Sequence, residues 1–312
     1  MNWTDRIGRR VKLRDLHILL SVAKTNSMGK AAAALAVSQP VVSKAISDLE
    51  HAVGLRLLDR SPLGVELTMY GRALVKWGVA VFDDLRQGVK ELEFLSDPTA
   101  GELRIGSTEP MTGFVSAVIA RLSRQYPGLV FHVVPADSFM LVSRELRQRN
   151  IELVITPTSG LKPEADTNVE ILFNDRRVVV AGVQSQWVRR RKIALAELIN
   201  EPWVLPPPDS IAGASIAEAF RAVGLEPPVA HVVSFSIPLH YHLLASERFI
   251  TMLPLSMLRF GSRLPLKSLA VELPAQLRPT GIVTLKNRML GPVAELFIDC
   301  ARDVAKLLTK GL

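Results

Sequence analysis

The chain is 312 residues long, 48% hydrophobic, and carries 38 Lys+Arg against 30 Asp+Glu, a formal charge of +8. That length predicts two or three compact units with substantial cores. The single cysteine, Cys300, excludes an internal disulfide and a cysteine-based zinc cluster within the chain, and no apolar run approaches the ~20 residues of a membrane span.

The opening MNWTDRIGRRVKLRD is charged from its start, which predicts no signal peptide and a soluble, cytoplasmic protein. Leu13, Leu16, Leu19, Leu20 and Ala23 then mark a first helix. Ser27 is a good N-cap for a second, where Ala31 to Ala34 offer small side chains that let a neighbour approach closely. Val37 and Ser38 break that run, and Ser38 is placed to cap a third helix. In the third, Val42, Ala45, Ile46, Leu49 and Val53 recur at spacings of three and four and form an inward stripe. Its outward side carries Pro40, Ser43, Lys44 and Ser47, with Gln39 in the leading turn. Glutamine can read adenine bidentately, serine can bond base or phosphate, and lysine neutralises a phosphate. Pro40 in the first turn costs no helical hydrogen bond.

Gly54 ends that helix, and LRLLDRSPLGVELT follows with a Ser61-Pro62-Leu63-Gly64 turn, the pattern of a hairpin wing. Arg56 and Arg60 are expected on it, available to phosphates or the minor groove. An ordinary helical hairpin with a solvated face remains the alternative for this window alone. Residues 1–68 hold ten Lys+Arg against six Asp+Glu, so half of the net charge lies in about a fifth of the chain. A basic patch there binds nucleic acid by counterion release.

Thr68 to Asp97 contains no proline, and Leu74, Gly78, Val81, Leu85, Gly88, Leu92 and Leu95 alternate spacings of four and three, with Val75, Phe82 and Val89 widening the stripe. A second copy of the same helix is the favoured partner for that seam; packing onto its own domain is the other. Ser96-Asp97-Pro98-Thr99-Ala100-Gly101 reads as a linker. Beyond it the pattern predicts strand 102–107, helix 111–126, strand 129–135, helix 138–149 and strand 151–156, a βαβαβ series that implies a parallel sheet. A second series follows: 177–183, 194–200, 203–205, 213–223, 229–235, 238–246 and 249–253, closed by strand 280–285 and helix 292–308. Two such α/β units facing each other make a cleft suited to a small ligand. Ligands in such sheets lie beyond the carboxyl ends of strands, near helix N-termini, which selects Ser107, Thr108, Thr156, Ser210, Ser234 and Ser236. Plain helix capping is the competing role for each.

Catalytic patterns are missing from the sequence: no GxGxxG after a strand, no GxxxxGK[ST] loop and no GxSxG elbow. Of the six histidines only His240 and His242 are close, with no carboxylate at metal-binding spacing, and Asp83-Asp84 is expected to be solvated. No catalytic residue, metal or cofactor is predicted.

The segment from Ala31 through Ala36-Val37-Ser38-Gln39-Pro40, Ser43, Ile46, Leu49-Glu50, Gly54, Leu57-Leu58 and Arg60 to Leu67-Thr68 and Gly71 resembles the LysR-type transcriptional regulators, and the resemblance extends over essentially the whole chain. It implies an α/β protein with an N-terminal winged helix-turn-helix (1–68), a long dimerising linker helix (69–97) and a two-lobed effector domain like periplasmic binding proteins (98–312). Lobe I would span about 101–162 plus 274–312 and lobe II about 165–270. It also implies a homotetramer, a dimer of dimers, acting mainly as an activator on double-stranded DNA with dyad-like half-sites. Gln39, Pro40, Ser43 and Lys44 then look like DNA contacts and Arg60 like the wing contact, while Ser107, Thr108, Thr156 and Ser210 fall in the inducer cleft. The sequence departs from the family pattern at Glu152–Pro157 and around Phe235–His242.

The favoured mechanism is a coupled equilibrium. A small polar or anionic inducer favours one closure of the lobes, the four reading heads change spacing, and the bent DNA exposes or recruits RNA polymerase. The alternative is a cytoplasmic solute-binding module without specific DNA recognition.

Overall fold

The computed structural model describes residues 10–61, 64–161, 165–260, 265–274 and 278–309, without the side chains of residues 60, 61 and 309. The chain divides into two compact units, residues 1–89 and 90–312.

The first unit begins with α1 (Leu13–Thr25), α2 (Met28–Ala34) and α3 (Gln39–Val53). Their facing stripes build one core from Leu16, Leu19, Val22, Ala31, Val42, Ile46 and Leu49, while Leu13 lies outside it, half exposed. Ser27 caps α2 by accepting from the Lys30 amide at 3.3 Å. Ser38 does not cap α3 with its side chain, contrary to expectation. Pro40 in the first turn removes one of the amides that would otherwise want a cap. Ala36 turns the chain between α2 and α3 at φ 53°.

After Gly54 the chain enters a two-stranded antiparallel hairpin, β1 (Leu58–Ser61) and β2 (Gly64–Leu67), paired Leu58 with Leu67 and Ser61 with Gly64. Pro62 and Leu63 at its tip lie outside the described residues. The hairpin leads into α4 (Met69–Ser96), and the expected seam on α4 divides. Leu74, Val75 and Phe82 pack on the core of the first unit, and Gly78 sits against Leu16 and Leu20. Trp77, Val81, Leu85, Val89, Leu92 and Leu95 remain exposed along the rest. Asp83 is buried rather than solvated, with Arg86 Nη1 3.8 Å from its carboxylate.

The second unit holds two five-stranded sheets. In the first, β3 (Ala100–Ser107), β4 (Gly128–Pro135) and β5 (Leu153–Pro157) run parallel, while β6 (Thr167–Asp175) and β12 (Arg278–Leu285) run antiparallel, in the order β4-β3-β5-β12-β6. The three strands of the βαβαβ series thus run parallel as expected, and the antiparallel β6 and β12 make the sheet as a whole mixed. Its crossovers are α5 (Thr112–Gln125) and a short helix, α6 (Ser138–Met140), that widens into a π-helical segment at Leu141–Leu146. The closing helix α10 (Pro292–Thr309) covers one face through Val293, Ala294, Phe297, Ala301 and Val304. Cys300 is buried there, as its apolar run predicts.

The second sheet has the order β11-β7-β10-β8-β9, with β7 (Arg177–Gly182), β8 (Trp203–Leu205), β9 (Ala230–Val233), β10 (Ile250–Pro254) and β11 (Leu266–Ser268). Helices α7 (Ile211–Arg221), α8 (Ile237–Ala245) and α9 (Leu255–Phe260) accompany it. Residues 194–200 form only a 3₁₀ turn, Leu195–Leu198, whose Leu198 carbonyl accepts from Trp203 Nε1 at 2.7 Å. Because β6 belongs to the first sheet, the chain crosses between lobes at Arg176, not near residue 165. It returns ahead of Arg278, which pairs with Asp175. Asp175 fastens this crossing: its carboxylate accepts from the Arg176 amide at 2.8 Å and from Ser256 Oγ at 2.5 Å. Among the described residues no helix is long and apolar enough to cross a membrane, and no cluster of three His, Cys, Asp or Glu could hold a metal.

Candidate nucleic-acid interface and effector cleft

Two places carry the residues selected by sequence. The first is the outer face of α3. Val42, Ala45, Ile46 and Leu49 are buried, which turns Gln39, Pro40, Lys44 and Ser47 to solvent and leaves Ser43 half-buried beside them. Positions 40, 43, 44 and 47 share one helical face, the spacing that lets several side chains address one groove. Arg56 is exposed in the turn ahead of β1, not on the hairpin as expected. Arg60 lies in β1 opposite Val65, and its side chain is outside the described ones.

Three further residues hold this surface in shape. Glu50 Oε1, on α3, accepts from the Leu57 amide at 2.8 Å and the Leu58 amide at 3.2 Å, so α3 itself anchors the strand that starts the wing. Thr68 Oγ1 donates to the Arg56 carbonyl at 2.8 Å and accepts from the Gly71 amide at 3.0 Å, which closes the wing's base and caps α4 together. A Cβ on Gly71 would stand 2.1 Å from the Leu57 carbonyl oxygen, so only glycine lets α4 pass the wing.

The second place is the edge where the parallel strands end. Ser107 closes β3 opposite Ile155, and Thr108 N donates to the Ile155 carbonyl at 3.3 Å. Thr156 is fully buried at the end of β5, with its hydroxyl 2.6 Å from Ser138 Oγ at the start of α6. Ser107 Oγ donates to the Thr108 carbonyl at 3.1 Å, whereas the buried Thr108 hydroxyl has no partner among the described residues. The fold thus brings Ser107, Thr108 and Thr156 together and adds Ser138, which the sequence did not single out.

In the second lobe Ser210 and Ser236 begin α7 and α8. Ser210 Oγ accepts from Gly213 N at 3.0 Å and donates to the Pro207 carbonyl at 2.6 Å. Ser236 Oγ accepts from Leu239 N at 3.4 Å, and Ser234 Oγ accepts from Ser236 N at 3.0 Å. Ser210 and Ser236 are thus helix-start hydroxyls already engaged as caps. His240 is buried behind them, with Nε2 2.9 Å from the Ser234 carbonyl and Nδ1 3.4 Å from Thr251 Oγ1. Burial lowers its pKa, although the Ser234 carbonyl and Glu109 pull the other way.

Glu109 joins the two sets. It follows Ser107 and Thr108, and its Oε1 accepts from the Ile237 amide in the first turn of α8 at 3.1 Å. No local pattern in the sequence marks that bond, because its partner is 128 residues away.

Comparison with known proteins follows the same division. Residues 13–72 match the profile described as bacterial regulatory helix-turn-helix protein, lysR family, and residues 96–306 match the LysR substrate binding domain. The HTH-type transcriptional regulator GbpR of Azospirillum brasilense is 27% identical over 96% of this chain and 88% of its own length. Full-length OxyR from Pseudomonas aeruginosa shares the fold with a TM-score of 0.64 and 20% identity, covering 95% of this chain and 97% of that one. CbnR solved in complex with its target DNA has a TM-score of 0.54 and 18% identity, covering 95% of this chain and all of that one.

Proposed function

The chain belongs to the LysR family of transcriptional regulators, and from that premise we propose which of its residues read DNA and which receive the effector. Gln39, Pro40, Ser43, Lys44 and Ser47 address bases and phosphates from the exposed face of α3, and Arg56 and Arg60 address the flanking backbone. The observation that carries this is the division of α3 into a buried apolar stripe and a polar face, with Glu50 fixing the wing beside it.

Segments 1–68, 69–97 and 98–312 act as reader, pairing helix and sensor. The exposed stripe Trp77, Val81, Leu85, Leu92 and Leu95 supports pairing between copies. A dimer of dimers placing its reading heads on dyad-like half-sites follows from that pairing. Ser107, Thr108, Thr156, Ser210 and Ser236 line the effector cleft, a reading supported by the partnerless buried hydroxyl of Thr108. A small polar or anionic effector that binds one lobe closure more tightly than the other shifts the equilibrium of the assembly on DNA, in the direction of activation.

Footprinting on the DNA upstream of the gene tests the reading, with candidate small molecules added in turn. A dyad-like protected site whose boundaries change with an effector is the expected result. Protection that no small molecule alters would overturn the effector assignment.

A further inference from the structure

We propose that Arg177 and Arg278 form an oxyanion subsite at the hinge end of the cleft, so that the effector carries a carboxylate or phosphoryl group. The inference rests on the interlobe cleft being the effector site, and it adds the chemical class and the residues that read it. Both arginines stand where the chain crosses between lobes. Arg177 begins β7, paired with Pro254 at the end of β10, and Arg278 begins β12 two residues before Thr280, which pairs with Pro157 at the end of β5. Both are therefore at the strand edge where ligands sit in such sheets.

Arg177 Nε donates to Ser215 Oγ at 3.3 Å, and Nη2 reaches the Ala212 carbonyl at 3.5 Å. Glu218, three residues beyond Ser215, attracts Arg278 electrostatically. Ala212, Ser215 and Glu218 recur every third residue, so both guanidinium groups lie along one face of α7, Arg177 nearest its N-terminal end. That end adds positive potential of its own. Gly213 keeps the turn tight, since a Cβ there would meet the Pro207 carbonyl oxygen at 2.1 Å.

The opposing charge is incomplete. Asp175 is the nearest carboxylate in sequence, yet its oxygens are held by Ser256 and the Arg176 amide. Glu218 is exposed. Among the described residues neither arginine has a carboxylate within ion-pair distance, and Arg278 makes no side-chain hydrogen bond. Burial and the neighbouring Arg278 push Arg177 down to about 10, with the Asp175 carboxylate pulling the other way. A guanidinium pair with free donors fits a carboxylate or phosphoryl group bidentately, which a neutral sugar does not satisfy.

Isothermal titration of the full-length protein at constant ionic strength tests this with two probe series. One comprises citrate and shorter carboxylates, the other inorganic phosphate and glycerol phosphate, with glycerol as the neutral comparison. Saturable binding of one series is expected, and which series binds identifies the oxyanion. Arg278→Gln, at a half-exposed position, should weaken it at least roughly tenfold. Arg177→Lys should weaken it too, while Arg302→Gln, a surface residue paired with Glu170, should leave it unchanged. Thermal unfolding of each variant shows that it is folded. No binding by either series, or equal binding by wild type and Arg278→Gln, overturns the subsite. A footprint in the same samples separates the two ideas. An oxyanion lost with Arg278 that leaves the footprint unmoved supports the subsite and sinks the effector reading. A neutral effector that moves the footprint while neither series binds overturns the subsite and leaves that reading intact.

Discussion

The carboxylate of Glu109 accepts a hydrogen bond from the backbone amide of Ile237 at 3.1 Å, linking the turn after β3 to the first turn of α8 across 128 residues of sequence. An anionic side chain at a helix start is favourable twice, through the hydrogen bond and through the helix dipole. Glu109→Ala removes both, a loss of roughly 0.5–1.5 kcal/mol. Amide exchange at Ile237 should accelerate several-fold in that variant and less in Glu109→Gln, which keeps an acceptor. Unchanged exchange would show that the bond does not hold the lobes together.

Glu50 serves the wing in the same way. Glu50→Ala leaves the Leu57 and Leu58 amides without their acceptor, at a cost of about 1–3 kcal/mol. Because the contacts proposed for the wing are to backbone rather than bases, affinity should fall for operator and unrelated DNA alike, measured by fluorescence anisotropy.

Gly71→Ala tests the close passage of α4 beside the wing. The added Cβ meets a backbone oxygen, which cannot rotate away, so the first unit should lose about 1–3 kcal/mol in chemical denaturation. An unchanged midpoint would mean that the helix and wing are not held at the spacing described.

Lys90 Nζ lies 2.8 Å from Glu152 Oε1 and hydrogen-bonds the Glu102 carbonyl at 3.3 Å, tying the end of α4 to the start of β5. Glu152 is buried, so Lys90→Ala strands its carboxylate and should cost about 3–5 kcal/mol in a denaturation series. The double change Lys90→Met with Glu152→Gln should cost much less, since it removes both charges.

His240 gives the second lobe an acid limit. Its folded pKa lies below the ordinary imidazole value because burial disfavours the cation. The unfolded chain therefore takes up the proton first as pH falls. The contribution of His240 is complete above about pH 6.5 and is lost between that value and its lower folded pKa. Urea midpoints at pH 7.5 and 5.5 should differ more for wild type than for His240→Gln.

The local features of the reader were legible in sequence because its chemistry is local. The spacing of Val42, Ala45, Ile46 and Leu49 fixes which face of α3 is free, and Ser27 and Gly54 mark helix ends by side chain and by turn conformation. Glu50, Thr68 and Gly71 were visible as a pattern, but their partners, Leu57, Arg56 and the Leu57 carbonyl, emerge only with the hairpin folded. The sensor was less readable. Strand β6 is an edge strand with Val169 and Ile171 exposed, so its apolar residues do not mark a buried face in the sequence. With β6 in the first sheet, the lobe crossing lies at Arg176 rather than near residue 165. Glu109, Arg177 and Arg278 gain their meaning from neighbours far away in sequence, which helical or strand periodicity does not encode.

If the polar face of α3 reads base sequence, Gln39 and Ser43 set the preference for the operator. Operator and random DNA binding by wild type and by a Gln39→Ala, Ser43→Ala double variant, measured side by side across a salt series, tests it most directly. The double variant should lose at least roughly tenfold of its preference for the operator. Its affinity for random DNA and its salt slope should persist, because Lys44, Arg56 and Arg60, the residues proposed to neutralise phosphates, are unchanged. A double variant that retains full operator preference would contradict the assignment of that face.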